Sequence, residues 1–190
     1  IRFLQQRMQR PAVMDQEHLE EGKYLLLTLN RKAIVNNIEE MKKLISTIDG
    51  VARKVGIKVL APLRGKALGF VLAFKAYQDV ADHQSGIMVV QPQGYLDFSY
   101  LAAHAMGVIT DSGNVAEEAT FNGVPCITLN SYTEHLETVT VGTNELVAED
   151  PEKLQLAMEK IAKGEWKKAG IPDRWDGRSA ERIVQIICGE

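Results

Sequence analysis

Cysteine is scarce. Cys126 and Cys188 are the only two in 190 residues, too few for a disulfide framework, so a reducing cytoplasm is the expected setting. Long apolar runs are lacking as well. None approaches the roughly 20 residues that a membrane helix needs, so no membrane partner is expected. An excess of positive charge is also missing: 22 Lys and Arg against 25 Asp and Glu leave a net charge of −3. Non-specific nucleic-acid binding needs cations to release counterions and is not expected either. The four histidines lack metal-ligand spacing. His18 and His83 sit in polar surroundings, and a lone helical His104 reads as structural. No metal or other cofactor is expected. The chain begins at Ile1 without an initiator methionine, and Ile1–Leu4 is too short for the apolar core of a secretion signal. It reads as a piece of something longer.

What is present is an ordinary globular mixture, 45 % hydrophobic and 25 % charged, enough for a sizeable core. Residues 1–22 are mostly polar and interrupted by Pro11, a linker or peripheral helix. From Tyr24, short apolar runs alternate with segments of helical period. Strands are expected at Tyr24–Leu29, Ile57–Leu60, Ile87–Val90, Val108–Thr110, Cys126–Leu129 and Glu145–Val147. Between them, Ile38, Met41, Ile45 and Ile48 recur at helical spacing, as do Leu68, Val71 and Leu72. So do Phe98, Leu101, Ala102 and Ala105, then Leu154, Ala157, Met158 and Ile161 behind Pro151. Ala180, Ile183, Val184 and Ile187 repeat the stripe at the end.

Single helices between apolar strands imply parallel pairing, because a parallel neighbour needs a crossover. The expected fold is an α/β, doubly wound parallel (Rossmann-like) sheet over 23–170, with 171–190 as a C-terminal tail helix. Such sheets bind ligands beyond the carboxyl ends of their strands. The loops there are Asn30–Asn36, Ala61–Lys66, Gln91–Gly94, Asp111–Asn114 and Asn130–Glu137.

The most informative stretch runs from Gly107 to Leu129 and reads strand, tight loop, helix, Gly123 stop, strand. Ser112, Gly113 and Asn114 fall where the sheet edge meets a helix N-terminus, whose unpaired amides and dipole favour an anion such as a phosphate. Asn114 followed by Glu117 resembles a capping box, and Glu118 could accept hydrogen bonds from ribose hydroxyls. Asp, Ser and Asn are also the preferred caps of any helix, so phosphate binding and plain capping both stay open. Arg31, Lys32, Arg64 and Lys66 lie on two loops of the binding edge, where positive charge would draw a pyrophosphate. Lys160, Lys163, Lys167 and Lys168 read as a solvated face. Cys126 reads as an inert core thiol, and Trp166 and Trp175 as packing residues of the tail.

Several further motifs stand in order. They are Gln93-Gly-Tyr-Leu-Asp-Phe98, Thr110-Asp-Ser-Gly-Asn-Val-Ala-Glu-Glu118, Gly123-Val-Pro125, Thr133–Thr138, Val141-Gly-Thr-Asn144 and Trp175–Val184. Together they resemble the non-hydrolysing UDP-N-acetylglucosamine 2-epimerases, densely from Gly94 to Val184 and more weakly from Tyr24. That family interconverts UDP-N-acetylglucosamine and UDP-N-acetylmannosamine by eliminating UDP and adding it back on the other face.

The resemblance implies one half of a glycosyltransferase-B type two-domain arrangement, here the C-terminal half. Its partners would be a UDP-sugar, the N-terminal domain of the same chain with its acid/base carboxylates, and a second copy in a homodimer. It implies that Ser112, Gly113 and Asn114 meet the UDP phosphates, Glu118 the ribose, and Phe98 and Gln93 the uracil. Phe98 also lies on an apolar stripe, so core packing remains open for it. His135 stands where the family has an arginine to the phosphates, and the loop cation Arg31 is a further candidate for binding UDP. The family's first loop reads Thr-Leu-His-Arg, an acidic residue and asparagine, where this chain has Thr28-Leu-Asn30-Arg31-Lys-Ala33-Ile34. An amide cannot carry a proton as imidazole does. The catalytic residues therefore stay unassigned, and a non-catalytic UDP-sugar-binding module or a glycosyltransferase donor half remain alternative readings.

Overall fold

The computed structural model describes residues 2–80 and 84–189, so His83 lies outside the described residues. Six strands form one sheet: β1 (Tyr24–Thr28), β2 (Lys58–Ala61), β3 (Ile87–Val89), β4 (Gly107–Thr110), β5 (Cys126–Thr128) and β6 (Asn144–Leu146). All six expected strands are found. The helices are α1 (Arg2–Gln5), α2 (Ala12–Gln16), α3 (Lys32–Val35), α4 (Ile38–Val55) and α5 (Gly65–Val80), then α6 (Tyr95–Ala103), α7 (Gly113–Asn122), α8 (Leu136–Thr140), α9 (Pro151–Ala162) and α10 (Ser179–Cys188). The order is β3-β2-β1-β4-β5-β6 with every pairing parallel, the Rossmann-like doubly wound sheet.

Alternate residues of a strand face opposite sides, and both sides are buried. Leu25, Leu27, Val59, Ile109 and Ile127 enter one core with α4, α5 and α9. Tyr24, Leu26, Leu60, Val108 and Cys126 enter the other with α6 and α7, joined by Val13, Met14 and Leu19 of the first segment. Burial on both faces explains why the strands are legible as unbroken apolar runs. The Cys126 thiol is pushed up to about 12 by that burial, so it is no thiolate nucleophile at neutral pH.

Some stripes are corrected. Ile38 opens α4 exposed at 68 %, while Leu44 occupies the core. Leu72 is exposed where Val71 is buried. The expected stripe of α10 packs on no core among the described residues: Ile183, Val184 and Ile187 are exposed, as is the neighbouring Ile186. Lys167 is not a solvated cation either. Its Nζ donates to the carbonyls of Val139 and Asn144, both at 2.6 Å, and desolvation lowers its pKa. Beside it, Trp166 Nε1 donates to Thr143 O at 2.7 Å. The two residues tie the chain after α9 to the turn before β6.

Candidate functional site

The strand order reverses between β1 and β4. Chains leaving these strands diverge to opposite sides, which opens a crevice at their carboxyl ends. The crevice is spanned by Asp111, which is buried. Its Oδ2 accepts the amides of Asn30 and Arg31 at 2.7 and 2.6 Å. Thr28 and Thr110, the last residues of β1 and β4, join their hydroxyls at 2.7 Å, and Thr110 Oγ1 also accepts the Ser112 amide.

Beyond Asp111 begins α7. Its N-cap is Ser112, with extended backbone and no side-chain capping bond. The first intrahelical bond runs from Ala116 N to Ser112 O. The amides of Gly113, Asn114 and Val115 are thus the ones an α-helix leaves without an internal acceptor. The capping box expected from Asn114 and Glu117 is not formed. Asn114 lies inside the first turn, where its helical backbone cannot cap, and the Glu117 carboxylate turns to His135 Nδ1 at 3.1 Å.

Two cavities flank this helix start. One, of about 340 Å³, is lined by Asn30, Arg64, Gln93, Tyr95, Phe98 and Ser112, among others. The other, of about 270 Å³, is lined by Arg31, Gly113, Asn114, Asn130, Tyr132 and His135, among others. Asp111 borders both. The first offers an aromatic and amide wall with Arg64, the second a polar wall with Arg31 and His135 beside the carboxylates of Asp111 and Glu134. In the second, the Arg31 guanidinium donates to Asn130 Oδ1 at 2.7 Å and lies 5.5 Å from the centre of the Tyr132 ring. Asn130 is fixed in turn by its Nδ2 donating to Asp111 O. His135 caps α8, and its Cδ2 would lie 3.8 Å from a Cβ placed on Gly113.

The sequence-derived residues thus divide. Asn30, Gln93, Phe98 and Ser112 share one cavity, and Arg31, Gly113, Asn114 and His135 share the other. Glu118 lines neither, but its Oε1 accepts the Tyr95 hydroxyl at 3.0 Å at the rim of the first. The four loop cations split as well. Arg31 and Arg64 border the two cavities, whereas Lys66 turns to Asn36 Oδ1 at 2.7 Å and Lys32 lies on a separate surface depression. His104 is structural, stacked on Tyr100 and bonded to its carbonyl.

Sequence reasoning passed over Asp111, Tyr95, Asn130 and Tyr132. Tyr95 stands three positions before Phe98, on the same helix face, and that spacing was the available signal. Among the described residues no group of His, Cys, Asp and Glu could hold a metal ion, and no helix is long and apolar enough to cross a membrane.

A family model described as UDP-N-acetylglucosamine 2-epimerase matches residues 2–188. A UDP-N-acetylglucosamine 2-epimerase of Methanococcus maripaludis is 34 % identical over 170 residues, 88 % of this chain and 45 % of that protein. The solved Methanocaldococcus jannaschii UDP-GlcNAc 2-epimerase, in complex with UDP-GlcNAc and UDP, superposes with a TM-score of 0.71 at 34 % identity, covering 88 % of this chain and 45 % of that one. Medicago truncatula UGT71G1, solved with UDP-glucose, has a TM-score of 0.52 at 12 % identity over 82 % of this chain and 34 % of its own, a likeness of fold alone. The sheet is one half of a glycosyltransferase-B type arrangement. The chain spans somewhat under half the length of the curated relatives it matches.

Proposed function

The chain belongs to the UDP-N-acetylglucosamine 2-epimerase family, and from that premise we propose that it is the UDP-binding C-terminal half of a non-hydrolysing epimerase. The observation that carries this reading is the start of α7, at the point where the strand order reverses, with a cavity on each side. The pyrophosphate lies across Ser112, Gly113 and Asn114, where the helix dipole and the unpaired N–H groups of Gly113 and Asn114 meet its charge and the Ser112 hydroxyl adds a donor. Arg31 and His135 add cationic or polar donors from the second cavity, arginine with a fork that imidazole lacks. Phe98 and Gln93 take the uracil in the first cavity, and Glu118 accepts from the ribose.

In this reading UDP leaves the sugar and is added back on the other face. The present half holds the leaving diphosphate through both steps with donors already in place. The acid and base work belongs to an N-terminal half that the curated relatives' greater length can accommodate. That half also covers the exposed apolar face of α10, and a homodimer belongs to the same proposal, as does the division into 1–22, 23–170 and 171–190.

Calorimetric titration tests the nucleotide site. UDP binds and AMP does not. Ser112→Ala and Glu118→Ala each weaken UDP by about 1–3 kcal/mol, the range for lost charge-assisted hydrogen bonds, with unchanged circular dichroism. Unaltered affinity in both variants would place the nucleotide elsewhere. The 190-residue chain does not epimerise UDP-N-acetylglucosamine by itself, and detectable turnover would overturn the division of labour. A second reading, a module that holds a UDP-sugar without converting it, is favoured by one observation. Asn30, on the wall of the first cavity, stands where the family has histidine. Rejoining an N-terminal half decides between them: turnover supports the epimerase, tight UDP binding without turnover the module.

A further inference from the structure

Glu118 is a flexible side chain asked, under the reading above, to receive a ribose. Its carboxylate can accept about four hydrogen bonds over two oxygens, but a free Glu must first be ordered, which costs binding. It is not free. Tyr95 Oη donates to Glu118 Oε1 at 3.0 Å, while Oε2 has no hydrogen-bond partner among the described residues. Tyr95 is the first residue of α6, set there by the extended backbone of Gly94, so its ring lines the first cavity beside Phe98 with the hydroxyl at the rim. The bond therefore crosses from α6 to α7, from the wall assigned to the base to the helix that begins at the phosphate loop.

We propose that Tyr95 is a positioning residue for nucleoside recognition, holding one oxygen of Glu118 so that the rest of the carboxylate faces the ribose hydroxyls and selects a ribonucleotide over a deoxyribonucleotide. The proposal rests on the assignment of Glu118 to the ribose. It has a second support. Partial desolvation, then the bond to Glu118, raises the phenol above its ordinary value, so it remains a donor well into the alkaline range. Tyr95→Phe keeps the ring that lines the cavity and removes the hydroxyl.

The test is calorimetry with UDP and with 2′,3′-dideoxy-UDP on the chain, on Tyr95→Phe, and on Glu118→Ala with and without Tyr95→Phe. Tyr95→Phe weakens UDP about threefold to tenfold, the effect of one neutral-to-charged hydrogen bond at a partly exposed site. It leaves dideoxy-UDP unchanged, and in the Glu118→Ala background it has no effect on either nucleotide. Equal weakening of both nucleotides overturns the proposal, because it would make Tyr95 a wall residue only. Unchanged UDP affinity in Tyr95→Phe overturns it too, while leaving the UDP site intact. Failure of the unmodified chain to bind UDP removes the site itself and the proposal with it.

Discussion

The carboxylate of Asp111 sits between two loops that the topology sends apart. Its Oδ2 takes both the Asn30 and Arg31 amides, which places the loop after β1 against the start of α7. Asp111→Ala removes the side-chain acceptor and strands two N–H groups in a half-buried crevice. It lowers the unfolding free energy by about 2–3 kcal/mol, read from the urea midpoint at unchanged slope, and it loosens UDP. Asp111→Asn keeps an acceptor oxygen in place and loses less. A tight packing constraint sits on the far side of α7. A Cβ on Gly142 would approach Thr138 O to 2.7 Å and also collide with Thr120 of α7. Gly142→Ala therefore shifts that helix and destabilises the chain by about 1–3 kcal/mol, seen as a lower melting temperature. Ser112, Gly113, Asn114 and Glu118 stood out as candidates because one contiguous stretch of sequence carries them, and the structure sets them in and around the first turns of α7. The bridging role of Asp111, in the same stretch, did not stand out, since its partners lie some 80 positions away and a turn aspartate has many local uses.

Elements were legible where burial dictates composition. The central strands β1, β4 and β5 are covered on both faces, so their residues are largely apolar without alternation, and α9 buries Leu154, Ala157, Met158 and Ile161, the expected stripe. Asp150 caps α9 by accepting the amides of Glu152 and Lys153. Asp150→Ala thus costs about 1 kcal/mol, measurable as a fall in the urea midpoint with the sheet intact. The four-residue α3 and five-residue α8 are too short for helical periodicity; α3 lies inside the expected loop Asn30–Asn36, and α8 starts within the expected loop Asn130–Glu137 and runs past it. The false capping box at Asn114 arose because Ser112 starts the helix two residues earlier. In the tail, Asp176 accepts from Arg182 and from the Arg178 amide, and the Arg182 bond is the largest cause holding its carboxyl well below the usual range. A carboxyl depressed on folding supports structure above its ordinary value near 4 and loses that support as the pH falls further. Protection of the α10 amides against exchange, taken relative to the intrinsic rate, accordingly falls in acid before protection in β1 and β4 does. Simultaneous loss would mean that the pair does not anchor the tail.

At the scale of the whole molecule, the unmatched feature is the outer face of α10. Its amphipathic sequence specifies a buried stripe, yet Ile183, Val184, Ile186 and Ile187 are exposed, with Ile186 at 80 % and Ile187 at 78 %. A helix so patterned lacks most of its packing energy, because helices in proteins draw stability mainly from a covered apolar face. Curated relatives about twice as long contain enough additional chain to cover it, and in the proposed epimerase the N-terminal half does so. Ile186→Ser with Ile187→Ser then separates the two situations. In the present chain the pair changes the unfolding free energy, read from the urea midpoint, by less than about 0.5 kcal/mol, as surface substitutions do. In a chain extended by an N-terminal half the same pair costs about 2–4 kcal/mol, the loss from unburying two large aliphatic side chains, and accelerates amide exchange along α10. Equal effects in the two proteins would mean that α10 remains uncovered in both, and that the halves are held together by the nucleotide cleft alone.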